Sequence, residues 1–248
     1  MLTIIRHGQS EANLQKFLGG WLDVNLTPLG IEQAHLTGKL LKEQNLHFDL
    51  CCNSFLKRAK ITRDIILKEI DSQDIPIYET WRLNEVHSGD FSGHALNEYF
   101  KYDPSLIDKW FTTYDIRPPL FEEGGPNDPK LDPLYNGVEG HDQLPLGESF
   151  HDACLRLQPF WNSTIIPNLQ DGKSILCVSH GNIVRIIMKI VENLSPTQCM
   201  QRMVIPNCTA VIYYYNNGNF DNRKIIGSPE ALRKYSLEFE TFNLSQNL

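Results

Sequence analysis

The chain has no CxxC pair, no Walker GxxxxGK[ST] loop, no GxGxxG turn and no HExxH helix. These absences remove the usual nucleotide cradle, the dinucleotide fingerprint and the zinc-hydrolase helix, and no metal is expected. No run of 18 apolar residues occurs, and the first apolar segment follows Met1 directly. Neither a spanning helix nor a secretory leader is therefore expected, and the protein is expected to be cytoplasmic, with no membrane partner. Positive charge is in the minority: 23 Lys and Arg against 30 Asp and Glu leave a net charge of −7. A broad nucleic-acid face needs the opposite balance. Any anionic ligand must then be met by a local group of cations. The six cysteines sit mostly in apolar runs, which reads as reduced core thiols.

Four apolar, β-branched runs are present: LTIIRH at 2–7, FDLCCNS at 48–54, KSILCVSH at 173–180 and TAVIYYY at 209–215. They read as buried strands. Helical patterns lie between them. One starts at Thr27 with Pro28 in the first turn, one at Ser54, and one covers about 148–169. The alternation predicts an α/β fold, a three-layer sandwich whose mainly parallel sheet is covered on both faces. The whole chain, 1–248, reads as one domain. Its segment at about 86–146 is rich in Pro, Gly, Asp and aromatics, with one helical pattern at about 95–111, and is expected to be a lid insertion. A last helix is expected from Ser228.

Three strands end in chemistry-bearing residues. The first delivers Arg6, His7 and Gly8, followed by Ser10 and Asn13. The second leads to Ser54 and then Arg58. The third delivers Ser179, His180, Gly181 and Asn182, with Arg185 on the next helix. In an open parallel sheet the carboxyl ends of the strands line one crevice, so these routes are expected to converge. An arginine fork matches a phosphoryl group, and a neutral imidazole is a nucleophile near neutral pH. Glu85, in WRLNEVHSG at the entry to the lid, is the candidate acid for the leaving oxygen.

RHGQSEAN, LTPLGIEQA, SFLKRAKIT, WRLNE, LPLGES and SHGN, in this order, resemble the landmarks of the histidine phosphatase superfamily, and within it the 2,3-bisphosphoglycerate-dependent phosphoglycerate mutase branch. DPLYNG, LQPFW and GSPEALRK extend the resemblance over nearly the whole chain. It implies a phosphoglycerate mutase-like fold, with His7 as the phosphorylated nucleophile, Glu85 as proton donor and His180 as transition-state partner. It also implies that Arg6, Asn13, Arg58, Gly181 and Asn182 contact phosphate or substrate, and that Gly19 and Gly20 form a substrate-facing turn.

The chain departs from that branch in its outer contacts. Ser88 stands where a Tyr follows the acid, HALNEYF after Gly93 lacks a Lys, and Phe111-Thr112 replace an Arg pair after Trp110. Arg117 is the nearby cation that could substitute. Phosphatase action on a small phosphorylated metabolite is therefore expected. The alternatives are a glycolytic mutase converting 3- to 2-phosphoglycerate with 2,3-bisphosphoglycerate as primer, and a catalytically weak binding protein. The resemblance implies a homodimer or homotetramer.

Overall fold

The computed structural model describes residues 1–95, 103–201 and 205–233. Its six-stranded sheet contains β1 (Leu2–Arg6), β2 (Leu50–Asn53), β3 (Ile77–Glu79), β4 (Ile175–Ser179), β5 (Ala210–Asn216) and β6 (Asn219–Ile226). The spatial order is β3-β2-β4-β1-β5-β6. The pairs β1–β4, β2–β4 and β2–β3 are parallel, whereas β5 runs antiparallel to both β1 and β6. The four expected strands are all present. The exposed edge strand β3 and the polar strand β6 were not expected, because neither carries a continuous apolar run.

The sheet is accompanied by the α-helices α1 (Glu11–Gln15), α2 (Pro28–Glu43), α3 (Lys57–Glu69), α4 (Pro104–Thr112), α5 (Phe150–Phe160), α6 (Ile166–Gln170), α7 (Gly181–Val191) and α8 (Pro196–Gln201). Successive strand residues point to opposite faces, and two cores result. Ile4, Cys52, Cys177 and Val211 pack with Phe150 and Leu157 of α5 and Ile183 and Ile187 of α7. Ile5, Cys51, Leu176 and Ile212 pack with Leu41 of α2 and Ile66 of α3. This is the three-layer arrangement. All six cysteines are buried, and none is in a disulfide.

The caps explain the helix starts. Thr27 accepts the Gly30 N–H with Pro28 in the first turn, and Ser149 and Asp152 close a capping box at α5. Ser54 is not the cap of α3, which begins at Lys57 after Leu56. The Ser54 hydroxyl accepts the Leu56 N–H and donates to Asn84 Oδ1 at 2.8 Å, a contact invisible at short sequence range. The helix expected at about 148–169 is α5, a wider turn at Trp161–Ile165, and α6. Pro167 has no N–H to return to the preceding turn, where the ladder widens.

The segment expected to be a lid holds α4 and short 3₁₀ turns at Gly89–Phe91, Pro129–Leu131, Pro133–Tyr135 and His141–Gln143. The helix expected at about 95–111 is found as α4, and residues 96–102 lie outside the described residues. Residues 229–233 are helical at the expected last helix, and 234–248 lie outside the description. No helix among the described residues is long and apolar enough to cross a membrane.

Candidate active site

His7 leaves the end of β1 with its main chain fixed on three sides. Its N–H donates to Ser179 O, and its carbonyl accepts from Asn207 Nδ2 at 2.8 Å and from the Cys208 N–H. The next residue must be glycine for a spatial reason. A Cβ on Gly8 would lie 2.3 Å from the Gly30 carbonyl oxygen, and both groups are backbone. The Gly8 N–H donates to Thr62 Oγ1 at 3.0 Å, joining this turn to α3. Gly8→Ala is expected to lower stability by about 1–3 kcal/mol through overpacking. A chemical-denaturation midpoint checks this; an unchanged midpoint would show that α2 shifts freely.

The imidazole of His7 is 4% exposed, and its Nδ1 lies 2.6 Å from Gly8 O. A carbonyl can only accept, so Nδ1 carries the proton and Nε2 keeps its lone pair. Burial, followed by the Arg58 and Arg6 charges, holds the His7 pKa well below its usual value, against the opposing Gly8 hydrogen bond. His7 is therefore a neutral base at physiological pH.

His180 ends the segment after β4, with its ring centroid 5.0 Å from that of His7. Its Nδ1 accepts from Arg58 Nε at 3.2 Å, which leaves Nε2–H as the donor, resting on Ser54 Oγ at 2.7 Å. Burial, then Arg58, holds this imidazole neutral as well. The Arg58 fork also donates from Nη1 to Leu22 O and from Nη2 to Gly20 O, both at 2.7 Å. Burial lowers Arg58 to about 10, so it stays cationic at neutral pH. Arg6 gives Nη1 to Ile205 O at 2.8 Å, while its Nε is buried with no partner among the described residues. A buried guanidinium N–H left unpaired beside a nucleophile suits an anion.

Glu85 joins this cluster from the segment after the Trp81–Leu83 turn. One carboxylate oxygen accepts the Val86 N–H at 2.9 Å and the other the Asn182 N–H at 3.4 Å, at the start of α7. The Glu85 charge is felt by Arg6, Arg58 and Arg185. Gly181 and Asn182 open α7, whose first-turn N–H groups favour an anion. Asn182 Oδ1 accepts from Arg185 Nη2 at 3.0 Å.

Ser10 caps α1 in a box closed by Asn13. Asn13 Oδ1 receives Ser10 N–H, Ser10 Oγ and Asn207 Nδ2, leaving its own amide as a donor. Gly20 has φ +44°, a backbone region that favours glycine. A Cβ there would lie 2.1 Å from Ser88 Oγ, so Ser88 flanks the Gly19-Gly20 turn; Ser88 Oγ also pairs with Ser92 Oγ at 2.8 Å.

Arg117 is not gathered into this group. It is exposed and grips Asp152 with two hydrogen bonds of 2.6 Å, because that capping carboxylate is the anion within its reach. Phe111 does not face a ligand either. It packs on Trp110 at 4.9 Å between centroids, against the core, while Thr112 Oγ1 turns back to Asp108 O. Ser54, expected at the end of the second strand, is brought in beside His180; Thr62, Asn84, Glu148, Arg156 and Asn207 were not singled out from sequence for this site. Their reach to the site is long, as in the 54 positions between Thr62 and Gly8 and the 200 between Asn207 and His7, and leaves no local motif.

The sequence profile described as Histidine phosphatase superfamily (branch 1) matches residues 2–126 and 121–226. The 2,3-bisphosphoglycerate-dependent phosphoglycerate mutase of Treponema denticola is 37% identical over 234 residues, 93% of this chain and 94% of its own. Its namesake in Bacteroides fragilis is 35% identical over 235 residues, 94% of each chain. Solved structures share the fold at lower identity. A putative alpha-ribazole-5'-P phosphatase from Escherichia coli matches with TM-score 0.66 and 22% identity, over 92% of this chain and 95% of that one. A phosphoglycerate mutase from Bacillus anthracis matches with TM-score 0.66 and 19% identity, over 95% and 96%. With two neutral histidines 5.0 Å apart by ring centroid, the buried Arg58 bonded to one of them, and a profile spanning nearly its whole length, this chain is an enzyme that belongs to the histidine phosphatase superfamily.

Proposed function

We propose that the enzyme hydrolyses small phosphomonoesters through a phosphohistidine on His7. His7 Nε2 attacks phosphorus and displaces the ester oxygen, which takes a proton from Glu85. Arg6, Arg58, the first N–H groups of α7 and the His180 Nε2–H, which gives up Ser54 Oγ to do so, hold the phosphoryl oxygens as charge shifts among them. Water then attacks the phosphohistidine and gives its proton to Glu85. Phosphate leaves, and His7 is again neutral. The two half-reactions use the same acid in opposite directions.

The observation that carries hydrolysis over transfer is the one-sided placement of cations. Arg6 and Arg58 gather at a single phosphoryl position, whereas Phe111 packs into the core and Arg117 is bound to Asp152. A mutase must retain a doubly phosphorylated intermediate while it reorients. Each charge-assisted hydrogen bond that holds such an anion is worth about 1.5–3 kcal/mol. Among the described residues the outer clamp that 2,3-bisphosphoglycerate would need is not assembled, so no step is routed through that primer. The organic product then leaves first and water follows.

The second reading, a phosphoglycerate mutase, is favoured by 35–37% identity to proteins of that name. One reaction vessel separates the two. Phosphate release and conversion of 3- to 2-phosphoglycerate are followed together, with 2,3-bisphosphoglycerate present. Release is expected to exceed conversion across a panel of phosphorylated metabolites; conversion far faster than release would make the enzyme a mutase. A homo-oligomeric, cytoplasmic enzyme remains part of this reading.

A further inference from the structure

The acid lies on irregular backbone. Glu85 follows a single 3₁₀ turn, Trp81–Leu83, and no strand or helix fixes its main chain. A buried side chain from α5 does so instead. Arg156 donates from Nη1 to the carbonyls of Trp81 and Arg82, and from Nη2 to those of Asn84 at 2.7 Å and Glu85 at 2.9 Å. Its Nε donates to Glu148 Oε1 at 2.6 Å. A guanidinium has five N–H donors, and all five are used. Glu148 grips the far side of the acid: its Oε2 accepts the His87 N–H at 2.9 Å, and its own N–H donates to His87 O at 2.8 Å. The Glu85 carbonyl also accepts Trp21 Nε1 at 2.6 Å.

A buried ion pair seldom stabilises a fold more than well-packed apolar residues of the same volume. What the fork supplies here is placement, since four carbonyls in one five-residue stretch are held to one rigid plane. A general acid must come within about 2.6–3.2 Å of the oxygen it protonates. We propose that Arg156, with Glu148 as its counter-charge and Trp21 as a second donor, is a positioning residue that fixes Glu85 for proton transfer to the leaving oxygen. This rests on the reading of Glu85 as the acid.

Leaving-group dependence tests it, with glycerol 2-phosphate as the poor leaving group and 4-nitrophenyl phosphate as the good one. In kcat/KM, which reports the steps up to departure of the ester oxygen and not the later attack of water, Glu85→Gln is expected to lose about 10²–10⁴-fold on the first and less than about 10-fold on the second. Arg156→Lys keeps the charge but not the fork. It is expected to lose roughly 10²-fold on glycerol 2-phosphate, the scale of a misplacement of about 1 Å, and to be nearly unchanged on 4-nitrophenyl phosphate. The double variant should be no worse than Glu85→Gln alone. Trp21→Phe, which leaves the buried ion pair intact, should show the same selectivity if Arg156→Lys does not fold. Selective loss in Glu85→Gln with equal losses on both substrates in Arg156→Lys or Trp21→Phe overturns the positioning role alone, as does a multiplicative loss in the double variant. Equal losses in Glu85→Gln overturn the acid assignment and this proposal with it.

Discussion

His7→Ala is expected to reduce phosphate release by roughly 10⁴-fold or more, since loss of a nucleophile removes the covalent route altogether. The fold should persist. The main chain of residue 7 is held by Ser179, Asn207 and Cys208 through its N–H and carbonyl, which alanine keeps. Acid-labile phosphate trapped on the native protein with labelled substrate should be absent from the variant. A His7→Ala protein that still carries label on histidine would move the nucleophile elsewhere. With His180 only 5.0 Å away by ring centroid, the labelled peptide must be identified as well as counted.

The second large effect is on stability. His7, His180 and His87 are all buried with lowered pKa values, chiefly through burial, and His87 is lowered to about 3. His87 Nδ1 accepts the Gly89 N–H, so it too is neutral in the fold. An unfolded imidazole has a pKa of about 6.5. As pH falls below that value, the unfolded chain takes up protons that the folded chain refuses, and stability falls. Each ring contributes about 1.4 kcal/mol per pH unit, so three give about 4. For His87 the window extends from about 6.5 down to about 3. A typical total of about 5–15 kcal/mol would be exhausted within roughly one to four pH units. Urea titrations between pH 7 and pH 4.5 measure the slope. His87→Asn, whose Oδ1 can accept the Gly89 N–H, should reduce it by about one third. Constant stability across that range would show that these rings charge inside the fold.

The inner part of the site was legible because it is built from chain segments with strong local signatures. Apolar runs ending at Arg6-His7-Gly8 and at Ser179-His180-Gly181 announce both strands and chemistry, and the strand-end crevice then brings them together. The layered sheet was legible for the same reason. The strands missed were β3, three exposed residues, and β6, where Asp221, Arg223 and Lys224 interrupt the apolar pattern. Polar contacts at long range were not legible. Nothing near Arg156 in sequence indicates that it reaches four carbonyls more than 70 positions earlier. Arg117 illustrates the converse. A cation close in sequence to a missing clamp is a natural substitute, yet a capping carboxylate on α5 takes it. Phe111 could have been placed from its chemistry, since an aromatic beside a buried tryptophan belongs with the core.

The position of β1 in the sheet sets a timetable for biosynthesis. Leu2 pairs with Ile175 on one side and Tyr213 on the other, 173 and 211 residues downstream (175 − 2 and 213 − 2). A ribosome adding about 5–20 residues per second needs roughly 10–40 s to supply both neighbours. Until both are made, the segment bearing Arg6 and His7 lacks its native strand partners. Such a segment invites pairing with other nascent chains, so the enzyme is expected to depend on chaperone shielding during synthesis more than a protein with locally paired strands. Its nucleophile waits for Asn207, made 200 residues later, before its main chain is fully held.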